Sequence, residues 1–367
     1  MRSRRELRRF IELPRRLHRD EPCWVSPLLS ERRRFLDRAR NPFFQHAEAE
    51  YLLAWRGRRA VGRISAHVDA RLNELRGNSW GLFGFFECEP DEQAARALLG
   101  AAEEWLRERG RERMVGPLDF TLNHEAGLLV EGHERRPQIL EPWHPARYAA
   151  LLERHGLSKA MDLVKWEIDV SDRARVLPVI FELAERLEPE HGIRIRHFRP
   201  HDLAGELRRF LEVYNSAWES SWGFVPMTPA EVEDYARRLR PVLDPNWVML
   251  AETAEGDTAG AALTLPDYNQ VLARVGGRLF PLGWARALAA RRRIDAVRVF
   301  ALGVRPEYRH TGVAAALYVR HFEMAARTRQ RGGEMGWVLE SNTDMNRALE
   351  ALGARLVKRH RVYAKAL

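Results

Sequence analysis

The sequence predicts a mixed α/β fold in which one supersecondary unit occurs twice. An apolar, β-branched run from Val297 to Val304 is typical of a buried strand, and a short loop then leads into a helical run over 315–329. Residues 80–118 show the same strand, loop, helix and strand order. We therefore expect an α/β (α+β) protein of two similar domains, each a mixed central sheet flanked by helices. The predicted divisions are 1–170 for the first domain, 171–190 for a linker with a crossover helix, and 191–367 for the second domain.

In the first half, residues 1–40 are rich in arginine, with apolar residues such as Phe10 and Ile11 between them. We interpret this segment as a surface helix that packs an apolar stripe on the domain, and a helix lying on an anionic membrane is the alternative. Residues 50–67 predict two strands joined at Gly57. The strand 80–87 and the amphipathic helix 93–109 follow.

In the second half, a helix over 203–218 leads to an aromatic loop. Thr228-Pro-Ala-Glu231 then begins a further helix, with Thr228 as the N-cap and Glu231 at the third helical position, which is the spacing of a capping box. Residues 247–266 predict a hairpin, which ends at Asp267 and Asn269. Residues 270–294 are an insertion with an apolar face and a basic rim. It predicts either a lid for a long acyl chain or lipid substrate at a membrane, or a helical elbow that covers the sheet edge.

The loop before residue 315 has the form Arg309-x-x-Gly312-x-Ala314 and opens a helix. Glycine and a small residue allow backbone N–H groups to approach an anion closely, and the first helical turn has unpaired donors. Neither the lysine-containing phosphate loop nor the three-glycine dinucleotide loop has this spacing. The loop therefore predicts a pyrophosphate site.

The residues downstream have the order found in one superfamily. Residues 336–342 predict a strand ending in Asn342, residues 345–352 a short helix stopped by Gly353, and residues 354–366 a hairpin that carries Tyr363. With the Arg309 loop, this order resembles the GNAT (GCN5-related) N-acyltransferase superfamily.

The resemblance implies an acyl-CoA site in the second domain. Backbone groups of Leu302, Gly303 and Val304 would hold the thioester and pantetheine. The pyrophosphate would lie on the loop residues Arg309, His310, Thr311, Gly312, Val313 and Ala314. The first domain has a loop three residues shorter, with Glu87, Glu89, Asp91 and Glu92 near it, so we expect it not to bind CoA.

For catalysis, we predict Glu340, at the end of the strand beside the CoA strand, as the base with Asn342 positioning groups around it, and a surface carboxylate at the strand end is the alternative. Leu349 stands where many GNAT enzymes have a tyrosine acid, and Tyr363 is the predicted substitute. Substrate contacts are predicted at Trp222 and Phe224 in the aromatic loop, where packing under the helices is the alternative, and at Asp267 and Asn269.

The whole chain also resembles a bacterial family of two-domain GNAT-like N-acyltransferases. The resemblance rests on segments such as Asn41-Pro-Phe-Phe-Gln-His46, Glu125-Ala-Gly-Leu-Leu and Trp222-Gly-Phe-Val-Pro. It implies an enzyme that transfers an acyl group from acetyl-CoA or a longer acyl-CoA to an amine. The alternatives are transfer of a long acyl chain to a lipid, sphingoid-type amine at the membrane surface, and a CoA-binding regulator without turnover.

The charge of the chain indicates which partners to expect. The formal charge is +9, and only four of the 60 basic residues are lysines. The basic residues are spread along the chain without a zinc-finger or RNA-binding signature, which disfavours nucleic acid as a partner.

The cysteines and the apolar runs indicate metal content and location. Cys23 and Cys88 are the only cysteines, and no Cys or His stands at ligand spacing from them, so no metal is expected. No run is apolar enough for a signal peptide or spanning helix, which predicts a cytoplasmic protein, with peripheral contact at the inner face of the membrane as a further option.

Overall fold

The computed structural model describes residues 3–169 and 176–367. Most of the predicted linker over 171–190 lies within this range, but residues 171–175 are outside the described part. The domain divisions themselves stay a prediction, and we refer below to a first half (3–169) and a second half (176–367).

The first half alternates helices with strands, beginning with two helices under the sheet. Its elements are α1 (Arg4–Leu17), α2 (Leu29–Phe35), β1 (Ala47–Arg56), β2 (Arg59–Asp69), α3 (Ala70–Arg76), β3 (Trp80–Cys88), α4 (Glu92–Arg107), β4 (Arg113–Gly116), β5 (Leu128–Glu131), α5 (Arg147–Arg154) and β6 (Ser158–Asp169).

The second half has the same alternation with two additional helices after its third strand. Its elements are α6 (Pro178–His191), β7 (Arg194–His197), α7 (Leu203–Trp218), α8 (Pro229–Leu239), β8 (Val248–Glu252), β9 (Thr258–Pro266), α9 (Asn269–Val275), α10 (Gly283–Arg291), β10 (Ala296–Val304), α11 (Val313–Arg327), β11 (Gly332–Leu339), α12 (Thr343–Ala351) and β12 (Arg355–Ala366).

All these strands belong to one 12-stranded mixed sheet, which confirms the predicted fold class. Its order is β1-β2-β3-β4-β12-β6-β11-β10-β9-β8-β7, and β5 pairs with β12 beside this path. The two halves exchange their last strands: β12 pairs with β4 of the first half, and β6 pairs with β11 of the second half. The halves are therefore joined by continuous backbone hydrogen bonding.

The predicted hairpin over 354–366 was wrong. These residues form the single strand β12, which pairs along one edge with β6 and along the other with β4 and β5. A hairpin would pair the two arms with each other, whereas here both edges are satisfied by strands distant in sequence.

Helices cover both faces of the sheet. The α4 and α5 side of the first half packs Leu98, Leu106 and Leu152 against β2 and β3. In the second half α11 and α6 cover one face, and α7 and α8 cover the other. Helix α1 buries Phe10, Ile11 and Leu13 against the first half, so its apolar stripe packs on the protein as the sequence favoured. Among the described helices, none has the length and apolar character needed to cross a bilayer.

His46 links the two halves on the face opposite α4. Its Nδ1 lies 3.0 Å from Asp69 Oδ1 at the end of β2, and its Nε2 lies 3.3 Å from Glu231 Oε1 of α8. Glu231 also closes the capping box that the sequence predicted, accepting from Thr228 N at 2.8 Å. Burial alone lowers the pKa of His46, but the hydrogen bonds to these two carboxylates outweigh it and raise the pKa to about 9.

The His46 contacts predict a stability that depends on pH. A histidine whose pKa is raised in the folded state stabilises fully below its unfolded pKa, and the contribution disappears as pH rises through about 9. Between the two pKa values, the free energy of unfolding of the wild type should fall by about 2 kcal/mol more than that of His46→Gln, measured by urea denaturation. Equal pH profiles in both proteins would contradict the prediction.

Candidate functional site

A cleft opens in the second half where two parallel strands part. Strands β10 and β11 pair from Ala296 with Gly332 to Val299 with Met335. Beyond this point β10 stays paired with β9 as far as Val304, with a bulge between Val299 and Ala301. Strand β11 stays paired with β6 as far as Leu339. Because β10 and β11 no longer pair with each other beyond Val299 and Met335, the edges that face the gap can pair with an extended ligand.

The predicted pyrophosphate loop lies at the open end of this cleft. Gly312 has φ +89° and caps helix α11, whose first-turn N–H groups face the end of the helix. A Cβ at Gly312 would lie 3.1 Å from Leu183 O of helix α6. The position therefore favours glycine for both its backbone conformation and its space, and the absence of a side chain leaves the helix terminus accessible to an anion.

The other predicted CoA residues surround the same point. Leu302, Gly303 and Val304 end strand β10, and a Cβ at Gly303 would lie 2.6 Å from the Trp218 ring at the end of α7. Thr311 Oγ1 donates to Tyr308 O at 2.7 Å, which holds the loop closed. Arg309 and His310 are exposed, Val313 is buried, and Ala314 is half-buried. The small residues, the open helix terminus and the exposed basic side chains fit a CoA pyrophosphate, and their role stays a prediction.

The predicted catalytic residues do not all meet. Glu340 and Asn342 lie together after β11, where Glu340 accepts from Lys159 Nζ at 2.7 Å and from Asp162 N at 3.0 Å. Asn342 caps α12 by accepting from Met345 N at 3.1 Å. Tyr363 is buried in the core under α4 and α5, and its hydroxyl donates to Glu153 Oε1 at 3.0 Å. Burial raises the pKa of Tyr363, and the structure does not bring this hydroxyl to Glu340.

The four predicted substrate residues fall into two groups. Trp222 is half-buried beside Trp80, with ring centroids 5.4 Å apart, and packs in the cluster that includes Trp337 and Leu339 of β11. Phe224 is buried and packs edge-on against Tyr214. Asp267 and Asn269 are both buried: Asp267 accepts from Ile139 N at 3.0 Å, and Asn269 Nδ2 donates to Pro137 O at 2.8 Å.

The Asp267 and Asn269 contacts hold a loop of the first half, residues 136–141, across the sheet of the second half. This loop forms the floor of a cavity of about 550 Å³ between the halves, which we call the central cavity. Ile139 and Glu141 form the floor, Trp24 and Trp143 one wall, and Tyr235 and Leu239 of α8 the other. The insertion covers it with Leu279, Trp284 and Leu288. The walls are largely apolar, so the cavity suits an aliphatic chain.

Beneath the floor lies a buried charge cluster that consists of Glu141, Lys165, Arg298, Glu334 and Lys358. Lys358 Nζ lies 2.7 Å from Glu334 Oε1 and 3.2 Å from Glu141 Oε2, while Lys165 Nζ lies 3.5 Å from each carboxylate. Arg298 donates to Ile139 O, and its guanidinium lies over the Trp337 ring. The cluster thus ties strands β6, β10, β11 and β12 to the loop that forms the floor.

The pKa values of the groups in and beside this cluster are shifted by different amounts and in different directions. Burial, followed by the Arg298 charge, lowers the pKa of Lys165 to about 8, even though Glu141 and Glu334 oppose the change. Although burial opposes ionisation of Glu141, Lys165 and Lys358 hold its pKa well below the usual range. Asp267 nearby has its pKa raised to about 7 by burial, with the Glu141 and Glu334 carboxylates adding to it.

A second group of charged residues lines the cavity from the first half. Arg32 donates to Glu125, and its Nη1 lies 3.8 Å from Asp119 Oδ2. Burial and the neighbouring Glu125 carboxylate raise the pKa of Asp119 to about 8. A carboxyl group that titrates near neutral pH beside an apolar cavity is able to exchange a proton with a bound amine.

The corresponding cleft of the first half is filled by its own chain. Strands β3 and β4 pair from Trp80 with Arg113 to Leu82 with Val115, and residues 117–120 then fold back between them. Phe85 N donates to Asp119 Oδ1 at 2.8 Å, and a Cβ on Gly84 would collide with Leu118 O. The side chain of Asp91 caps helix α4 by accepting a hydrogen bond from Ala94 N, so a carboxylate occupies the helix terminus. Both features favour the prediction that this half does not bind CoA.

Sequence reasoning missed Glu141, Arg298, Lys165 and Lys358. Arg298 interrupts the apolar run of β10, which is a signal that this position is paired inside the protein. Lys165 and Lys358 are two of only four lysines in an arginine-rich chain, and both are buried. An ammonium is compact and can lower its pKa, whereas a guanidinium stays charged, so lysine at such positions is informative.

Two relatives match this chain over nearly its whole length. A protein named bacterial ceramide synthase from Caulobacter vibrioides (strain NA1000 / CB15N) is 35% identical over 369 residues, which cover 99% of this chain and 95% of the relative. Protein YghO from Escherichia coli (strain K12) is 34% identical over 374 residues, which cover 100% of this chain and 94% of YghO. No protein-family model matches the sequence.

Solved structures show the same fold at low sequence identity. A tandem GNAT protein from the clavulanic acid biosynthesis pathway aligns with a TM-score of 0.57 and 14% identity, covering 100% of this chain and 96% of that protein. A probable N-acyltransferase from Enterococcus faecalis V583 aligns with a TM-score of 0.55 and 11% identity, covering 99% and 71%. The chain therefore belongs to the family of two-domain GNAT-like acyltransferases that includes the bacterial ceramide synthase of Caulobacter vibrioides.

Proposed function

We propose that this protein is an acyl-CoA-dependent N-acyltransferase whose acceptor is a long-chain aliphatic amine. The observation that carries the proposal is the central cavity, because its apolar walls reach from the surface at the insertion to the floor above Arg298. A small polar amine does not need a space of about 550 Å³ lined by tryptophan and leucine. The name of the Caulobacter relative, a ceramide synthase, agrees with a lipid amine.

The cleft and the central cavity approach each other at residues 298–300 of strand β10. The cleft begins after Val299, and Arg298 precedes it in the strand and touches the cavity floor at Ile139. The Phe300 ring lies 6.0 Å from Tyr235, which lines the cavity. We propose that acyl-CoA occupies the cleft and the amine chain occupies the cavity, so that the two reactants meet near Arg298 and Phe300.

The reaction forms an amide C–N bond and breaks the thioester C–S bond. An ammonium acceptor loses two protons in total, one of which neutralises the departing thiolate, so the site needs a path for the other. Asp119, beside Glu125 on the cavity wall, has a suitable pKa for this path. Glu340 with Asn342 remains the base proposed from the sequence, and neither lines the cavity.

The proposed function is tested by comparing turnover for every combination of two thioesters and two amines. The purified protein is incubated with acetyl-CoA or palmitoyl-CoA and with a short amino alcohol or its long-chain homologue, and the amide is quantified by mass spectrometry. Each buried methylene contributes about 0.8 kcal/mol, so the long-chain amine should be preferred at least about 100-fold in kcat/KM. Turnover of the short amine at an equal rate would contradict the acceptor class.

A cavity-filling variant checks where the chain binds. Ala287→Phe places a ring into the cavity wall, and we expect roughly a tenfold lower kcat/KM for the long-chain amine with little change for any residual short-chain reaction. Ala289→Phe on the same helix is the matched control because Ala289 is exposed and lies outside the cavity lining. Absence of turnover by the unmutated protein with every pair, together with retained CoA binding, would favour a CoA-binding regulator.

A further inference from the structure

The insertion carries a compact group of exposed apolar side chains. Phe280 is 82% exposed, Leu282 65%, Trp284 54% and Leu288 59%. Single exposed apolar residues are common on protein surfaces, but several within nine consecutive residues form a patch. We call these four residues the apolar tip.

The charged side chains of the insertion itself all have one sign. Between Asn269 and Ile294 the chain has no aspartate or glutamate, and its six arginines are all exposed. They are Arg274, Arg278, Arg286, Arg291, Arg292 and Arg293. An insertion that carries an apolar tip and only cationic charges is complementary to a surface that offers acyl chains beneath anionic headgroups.

The apolar tip is continuous with the central cavity. Trp284 and Leu288 are more than half exposed and also line the central cavity, as Leu279 does. Only Val271, Ala290 and Ile294 of this region form a buried cluster of their own. The insertion is therefore attached to the domain at its base, while its apolar side chains lie at the mouth of the cavity.

We propose that residues 274–293 dock the protein on the surface of an anionic phospholipid bilayer, with the apolar tip inserted among the lipids. Docking places the mouth of the central cavity against the acyl chains, so an amphiphilic substrate enters the cavity without crossing water. The docking itself does not depend on catalysis. Direct loading of a lipid amine from the membrane rests on the function proposed above.

Vesicle co-sedimentation tests the docking with the full chain. Wild-type protein is mixed with vesicles of phosphatidylcholine alone, or of phosphatidylcholine and phosphatidylglycerol in equal parts. We expect binding to the anionic vesicles, weak binding to the neutral ones, and a decrease with added salt. Binding to neither type would overturn the proposal.

Two double variants separate the apolar and the cationic contributions. Phe280→Ser with Leu282→Ser, and Arg286→Glu with Arg292→Glu, should each lower partitioning onto anionic vesicles at least about tenfold. Leu75→Ser, at a side chain 54% exposed on α3, and Arg58→Glu, in the turn between β1 and β2, are the matched controls and should bind as the wild type does. Because all the substituted side chains are exposed, folding should be unaffected.

Two further outcomes separate membrane docking from self-association and from catalysis. If light scattering shows a dimer that Phe280→Ser with Leu282→Ser dissociates, a second copy covers the apolar tip and the docking proposal is overturned. If the protein binds anionic vesicles through residues 274–293 but forms no amide, the docking stands and the proposed function fails.

Discussion

Replacing Gly312 by aspartate should weaken CoA binding at least about 100-fold while leaving the protein folded. Aspartate and asparagine tolerate the left-handed backbone conformation that Gly312 adopts, and a negative charge at a helix N-terminus stabilises the helix. The same charge repels a pyrophosphate that would occupy that terminus. A repulsion of about 3 kcal/mol corresponds to a factor of about 100 in affinity.

The matched control is Gly312→Asn, which has nearly the same shape without the charge. We expect it to bind CoA roughly tenfold more weakly than the wild type, because the added side chain crowds Leu183 O and enters the anion site. Isothermal titration with CoA measures both variants, and thermal unfolding confirms that each is folded. If the aspartate and asparagine variants bind CoA equally, the pyrophosphate does not lie at this helix terminus.

Removing the carboxylate of Glu141 should lower the free energy of unfolding by about 3–5 kcal/mol. Glu141 is buried between Lys165 and Lys358, and Glu141→Gln leaves three cations near a single carboxylate partner, Glu334. An uncompensated charge inside a protein is strongly destabilising. Urea denaturation at neutral pH measures the loss.

The opposite substitution in the same cluster should have a much smaller effect. Lys165→Met removes the cation whose pKa burial has already lowered, and it leaves Arg298 and Lys358 facing Glu141 and Glu334. We expect a change within about 1 kcal/mol, and stabilisation is compatible with the charge balance. Lys159→Ala, which breaks the exposed pair with Glu340, is the surface control and should also cost at most about 1 kcal/mol. Equal losses for Glu141→Gln and Lys165→Met would show that the charge balance is not what stabilises the cluster.

The charge cluster connects stability with the proposed site. The loop 136–141 comes from the first half, but Arg298, Lys358 and Asp267 of the second half hold it in place. The cavity floor therefore exists only when both halves are folded and docked. We infer that the first half contributes the acceptor side of the site, even though its own cleft is filled by residues 117–120.

Much of the architecture could be predicted from local sequence. An apolar, β-branched run predicted β10, an apolar helical face predicted α11, the Thr228 and Glu231 spacing predicted a capping box, and Gly312 marked the start of α11. These features depend on residues within a few positions of one another, where periodicity, capping and backbone sterics act directly. These local features gave the order of elements in the second half, and that order indicated the resemblance to the GNAT superfamily.

Only the tertiary structure decided which strands meet and which side chains share a site. The sequence of β12 suits a strand, but nothing local states that it pairs with β4 and β6, so the hairpin prediction failed and Tyr363 lies under α4 instead of beside Glu340. The central cavity likewise requires residues more than 200 positions apart, such as Trp24 and Trp284. Sheet partners, buried ion pairs and cavities are determined by contacts between residues far apart in the sequence. The free energy of these contacts is distributed over the whole chain, so local sequence patterns do not predict them.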